Sequence, residues 1–173
     1  EETPEEVIGF IDACRELLAP DLSTLTPQID IGCYAGKRRQ LPWYLLAVAL
    51  LARKGYTVML HGAHEPGSGR LYASKALPLL GLPPATDIPH AKSQLAQVGV
   101  TYLDLSHLLS PLNKLIKLRE FFGLRSCANT LARLLNLTLA KCCLQGVYHM
   151  HLEHKHCRAN EAFPEFAALC FRG

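Results

Sequence analysis

The stretch over residues 29–62, IDIGCYAGKRRQLPWYLLAVALLARKGYTVMLHG, most restricts what this chain can fold into. A short apolar run, 29–32, reaches a glycine-containing basic loop. An apolar segment with helical period follows over 43–53 and stops at Gly55, and a second apolar run, 57–60, ends at His61-Gly62. That is strand, loop, helix, strand, one βαβ unit. Parallel strands need such a crossover, and ligands of open α/β sheets sit at the C-terminal ends of the strands. The functional question therefore narrows to what residues 33–39 and 62–70 hold.

The rest of the chain extends this pattern. Thr3-Pro4-Glu5-Glu6 is a helix start, with Thr3 as cap and Glu6 completing a capping box, and the helix stops before Pro20. Helix is expected over 70–80, bent or shortened by Pro78, and over 89–98, capped by Asp87 and ended by Gly99. Val, Thr and Tyr content marks 100–104 as a strand. Helices are predicted over 112–122, 127–135 (capped by Ser126) and 151–162, and strands over 140–148 and 167–171. Helices alternating with strands define an α/β class with a mainly parallel sheet flanked by helices.

With 173 residues, 49% of them apolar, the chain can bury one sizeable core. A net charge of +3 is too small to announce nucleic acid by itself. Seven cysteines without regular spacing read as free thiols, which predicts a cytoplasmic protein. No apolar run approaches the roughly 18 residues of a membrane span, so no membrane partner is expected.

Two loops carry the candidate chemistry. Gly32, Gly36, Lys37, Arg38 and Arg39 lie between a strand end and a helix N-terminus, where backbone N–H groups and three consecutive cations favour a phosphate. The competing reading is a solvated basic turn. The loop is neither a Walker motif nor G-x-G-x-x-G. Gly62, Ser68 and Arg70 belong to a second loop, with glycines that permit close backbone approach, or simply an ordinary turn. Lys114 and Lys117 share one helix face and could extend an electropositive stripe. Tyr34 is placed as a ring able to stack on a base. His149, His151, His154, His156 and Cys157 resemble metal spacing, but no second Cys/His pair stands out, so no metal is assigned. No Ser-His-Asp or Cys-His pattern and no pair of carboxylates at a strand end supports nucleophilic or acid–base catalysis, so no catalytic residue is assigned.

The order of elements, with IDIGCYAG before the crossover helix, LHG followed by a Ser/Gly loop and ALPLLG, then LREFFGLRSCANTLARLL and GVYH, resembles the anthranilate phosphoribosyltransferase family, glycosyltransferase family 3. The resemblance implies a nucleoside phosphorylase/phosphoribosyltransferase-type domain, present as a fragment. Residues 1–20 would be the tail of an N-terminal helical subdomain and 21–173 part of the α/β domain. It also implies a homodimer for the full-length protein and, for an active member, Mg²⁺ with phosphoribosyl diphosphate. Where such members carry G-T-G-G-D, this chain has Gly32-Cys33-Tyr34-Ala35-Gly36. Where they carry N-x-S-T, it has Pro42-Trp43-Tyr44-Leu45, and K-H-G-N becomes Leu60-His61-Gly62-Ala63. Arg119 matches the arginine of the anthranilate pocket. Lost polar contacts of this kind cost a diphosphate site several kcal/mol. The sequence is more similar to a divergent branch with a degenerate diphosphate loop that binds nucleic acid. The expectation is a non-catalytic protein that holds single-stranded nucleic acid, or a small phosphate ligand, through basic loops and needs no cofactor. The alternative is an active phosphoribosyltransferase acting on anthranilate or another acceptor.

Overall fold

A computed structural model describes residues 2–64, 69–148 and 152–172. Its centre is the strand–helix–strand unit: β1 (Ile29–Gly32), α2 (Tyr44–Arg53) and β2 (Val58–Gly62). The preceding helix α1 (Pro4–Glu16) begins with the capping box, the Glu6 N–H donating to Thr3 Oγ1 at 3.2 Å and the Thr3 N–H to Glu6 Oε2 at 2.8 Å. Helix α3 (Ala73–Ala76) and a 3-10 turn at Leu77–Leu80 follow β2. Then come α4 (Ile88–Val98), β3 (Val100–Asp104), α5 (Leu105–Leu108), α6 (Ser110–Lys117), α7 (Arg119–Phe122) and α8 (Ala128–Leu131). After a short 3-10 turn at Ala132–Leu134, the third after those at Pro20–Thr24 and Leu77–Leu80, the chain closes with β4 (Cys142–Val147), α9 (Leu152–Asn160) and β5 (Ala167–Arg172).

Among the described residues the strands form one sheet in the order β3-β2-β1-β4-β5, every pairing parallel. The expected class is thus observed. The registers align Ile29 with Val58 and Cys142, and Val58 with Val100. Side chains alternate across a strand, so each element feeds two cores. On one face Ile29, Val58, Leu60, Val100 and Tyr102 pack with Leu45 and Val48 of α2 and with Ala73, Ala76 and Leu77. On the other, Met59, Leu103 and Cys143 pack with α1, α4, α5, α6 and α8. Toward β5 the first face is thin: Leu169 and Phe171 are exposed.

Three expected helices are shorter or broken. Pro78 limits 70–80 to a four-residue helix and a 3-10 turn, since proline supplies no N–H to the helical ladder. The 112–122 helix, which Ser110-Pro111 is expected to start and Gly123 to end, does begin at Ser110 and stop at Gly123, but divides at Leu118 into α6 and α7. Ser126 does not cap α8 through its hydroxyl; its backbone N–H donates to Asn129 Oδ1 at 3.1 Å.

Candidate functional site

Cys33 continues the β1 ladder by one rung, its N–H donating to His61 O at 2.6 Å. Tyr34 then turns inward, between the C-terminal ends of β1 and β2. Its Oη lies 2.7 Å from His61 Nδ1, and His61 Nε2 lies 2.8 Å from Asp30 Oδ1. Thr138 Oγ1 donates to the second carboxylate oxygen of Asp30 at 3.4 Å. Asp30 and His61 are 0% exposed and Tyr34 is 3% exposed, so the chain of bonds runs through dry protein. Burial first, and the charge of Asp30 second, push the Tyr34 phenol well above its ordinary pKa. The phenol therefore keeps its proton, and the His61 ring links it to the Asp30 carboxylate. Every polar group in the relay is satisfied by protein. Burial also lifts the neighbouring Cys33 thiol to about 12, the Tyr44 hydroxyl opposing and the Asp30 charge reinforcing, so at neutral pH it is no nucleophile.

This geometry corrects the role expected for Tyr34. A ring sealed in the core cannot stack on a base; it edges against His61 at 5.4 Å between centroids and lies where a Cβ on Gly32 would meet it at 3.3 Å. The two other glycines are likewise approached by the protein itself. A Cβ on Gly36 would sit 2.7 Å from Arg70 Cβ and 2.9 Å from the Tyr72 ring, and one on Gly62 would sit 2.7 Å from Cys33 O. Arg70 is half-buried and donates from Nη1 to Gly36 O at 3.1 Å, tying the two loops together. Lys37 is pinned to Leu71 by a reciprocal pair of backbone bonds at 2.9 and 2.8 Å. Beyond that pin, Arg38 and Arg39 are exposed, whereas Pro42 and Leu45 are buried. Ser68 lies outside the described residues.

The remaining candidates are scattered. Lys114 and Lys117 are exposed on α6, opposite the buried Leu112, Asn113 and Ile116. Arg119 is half-buried at the start of α7 and has a partner within the protein. Of the histidine-rich run, His149 and His151 lie outside the described residues. His156 is buried on α9 with Nδ1 at 3.1 Å from Gln145 Oε1, while Cys157 is exposed. Among the described residues, no group of three or more His, Cys, Asp or Glu side chains is placed to hold a metal ion. None of the described helices is long and apolar enough to cross a membrane.

Sequence reading missed the Asp30–His61 pair. The available signal was a lone polar residue in each of two apolar runs; what brings them together is the register, which aligns Asp30 with Met59 and so places His61 two residues further along the same face. It also passed over Trp43, counted with the apolar segment but in fact 63% exposed.

A sheet of parallel strands in this order, with helices on both faces, defines an α/β protein of the anthranilate phosphoribosyltransferase type in fold. Over 100% of its length the chain superposes on anthranilate phosphoribosyltransferase (TrpD) from Thermus thermophilus, with TM-score 0.78, 23% identity and 52% of that chain covered. The enzyme from Saccharomyces cerevisiae, solved in complex with PRPP and Mg, matches over 97% of this chain with TM-score 0.70, 16% identity and 47% of its own length. In sequence, the chain is 29% identical over 132 residues to the uncharacterized protein YbiB of Escherichia coli, which covers 75% of this chain and 41% of YbiB. No family model matches. The chain spans about half the length, or less, of these relatives.

Proposed function

We propose that this chain uses a phosphoribosyltransferase-type scaffold to bind single-stranded nucleic acid through the basic loop at 37–39, without transferring phosphoribose. The observation that carries this reading is the division of labour in the β1–α2 loop: Tyr34 is buried against His61 at the strand ends, while Arg38 and Arg39 face solvent. A magnesium diphosphate needs polar groups and open coordination. Of the described carboxylates at these strand ends, Asp30 is engaged by His61 and Thr138 and Asp104 by Ser106, and the approach to α2 brings in the buried Pro42 and Leu45. The described residues therefore do not fit that group, and no transfer step is derived through it. Solvent-facing guanidinium groups can still meet phosphates spaced along a strand, which supplies affinity without sequence choice.

The test is binding of a labelled single-stranded oligonucleotide between 50 and ~200 mM salt. The logarithm of the affinity should fall linearly with the logarithm of salt, with a slope of about −0.7 per phosphate contact. Replacing Lys37, Arg38 and Arg39 together by Ala should flatten that slope by about two units; an unchanged slope removes the loop from the site. The second reading, an active phosphoribosyltransferase, rests on the fold and on the yeast neighbour bound to PRPP and Mg. Calorimetric heat of binding for phosphoribosyl diphosphate with Mg²⁺ would favour it over nucleic-acid binding without transfer.

A further inference from the structure

Trp43 is the chain's single tryptophan, and it stands 63% exposed at the start of α2, with Leu41 55% exposed two residues before it. Its position is set by backbone, not by packing of the indole. The Trp43 N–H donates to Leu41 O at 2.9 Å, the Leu46 N–H donates to Trp43 O at 3.0 Å, and the buried Pro42 anchors the turn. An indole left in water forfeits a large apolar burial, so an exposed one held on a rigid turn is a contact surface in want of a partner.

The surrounding charge says which partner. From Ile31 to His64 the sequence has no acidic residue, while it carries Lys37, Arg38, Arg39, Arg53 and Lys54. Arg38 and Arg39 lie five and four residues upstream of Trp43, a distance that even an extended chain limits to roughly 18 Å. The indole and the guanidinium groups are thus close enough along the chain to meet the same few units of a bound polyanion. A ring beside cations is the pairing that single strands use, bases stacking while phosphates are neutralised.

We infer that Trp43 is the platform on which a base of the single strand stacks, with Arg38 and Arg39 on the flanking phosphates. The inference rests on the nucleic-acid reading above and assigns to Trp43 the stacking role that burial denies to Tyr34. An apolar partner is the rival occupant, because Leu46 and Leu50, 51% and 62% exposed, follow Trp43 along the outer side of α2.

The single tryptophan makes the test direct. Fluorescence of the chain is titrated with oligothymidylate of about 15 nucleotides, with inorganic polyphosphate of similar charge, and with vesicles rich in anionic lipid. Oligothymidylate should quench the indole; polyphosphate should bind with comparable salt dependence and leave the emission unchanged. Trp43→Ala should weaken the oligonucleotide about 5- to 150-fold and the polyphosphate hardly at all, with Trp43→Phe in between. Salt-dependent oligonucleotide binding with no quenching and no effect of Trp43→Ala would overturn the stacking assignment while sparing the nucleic-acid reading. No oligonucleotide binding at all would overturn both. Quenching by vesicles alone, abolished by Leu46→Ala with Leu50→Ala, would assign the surface to an apolar partner and overturn the inference.

Discussion

At the scale of residues, the site is decided by one side chain. A tyrosine at position 34 joins its phenol to His61 and through it to Asp30, so the buried polar groups at the ends of β1 and β2 are met by the protein itself. Tyr34→Phe keeps the ring and removes the hydroxyl, leaving His61 Nδ1 buried without that partner. That loss should cost about 1–3 kcal/mol, read as a lower urea midpoint at unchanged m-value, with the salt slope of oligonucleotide binding unaltered. A midpoint equal to that of the parent would mean that the relay does not hold the loop. The cations at 37–39 were legible as a run in the sequence, because exposure of consecutive charges needs no tertiary information. The inward turn of Tyr34 was not legible, since it depends on His61, 27 residues away.

At the scale of elements, the strands and the long helices were readable because their signals are local. Apolar periodicity, caps and stop residues act within a turn or two. Helix α4 is the clearest case: Asp87 Oδ1 accepts from the His90 N–H at 2.7 Å, and Gly99, at φ +75°, ends the helix where a Cβ would press on Tyr56 O at 3.3 Å. Asp87→Ala should cost about 1 kcal/mol through the lost cap, measurable as a drop in thermal midpoint. A midpoint unchanged within error would show that α4 is held by its packing alone. The breaks within 112–122 and 127–135 escaped sequence reading. Apolar residues continue across both breaks, so nothing local marks them, while Leu112, Ile116, Ala128 and Leu131 all reach one shared core. Trp43 was missed for a related reason: an aromatic beside an apolar helix reads as core until the sheet shows which side of that helix is covered.

At the scale of the whole molecule, stability should be coupled to pH through His156, which ties α9 to β4. Burial, and then the charge of Arg133, lower its pKa to about 4. Its Nδ1–H is spent on Gln145 Oε1 and its Nε2 has no partner among the described residues, so a second proton would be buried unsatisfied. A depressed histidine pKa means that the unfolded chain binds the proton first. The contribution is therefore intact above pH 6.5 and is lost as pH falls from there toward 4, by about 3 kcal/mol at most. The urea midpoint of the parent should fall more steeply over that window than that of His156→Gln; parallel curves would refute the coupling. Sequence alone determined the α/β alternation, the βαβ core and the basic run at 37–39, because period, caps and charge are properties of neighbouring residues. Only the tertiary structure decided which polar residues meet and which rings are sealed. Parallel register joins Asp30 to His61 and folds Tyr34 over them, and hydrogen bonds between distant segments leave no trace in the local pattern of a chain.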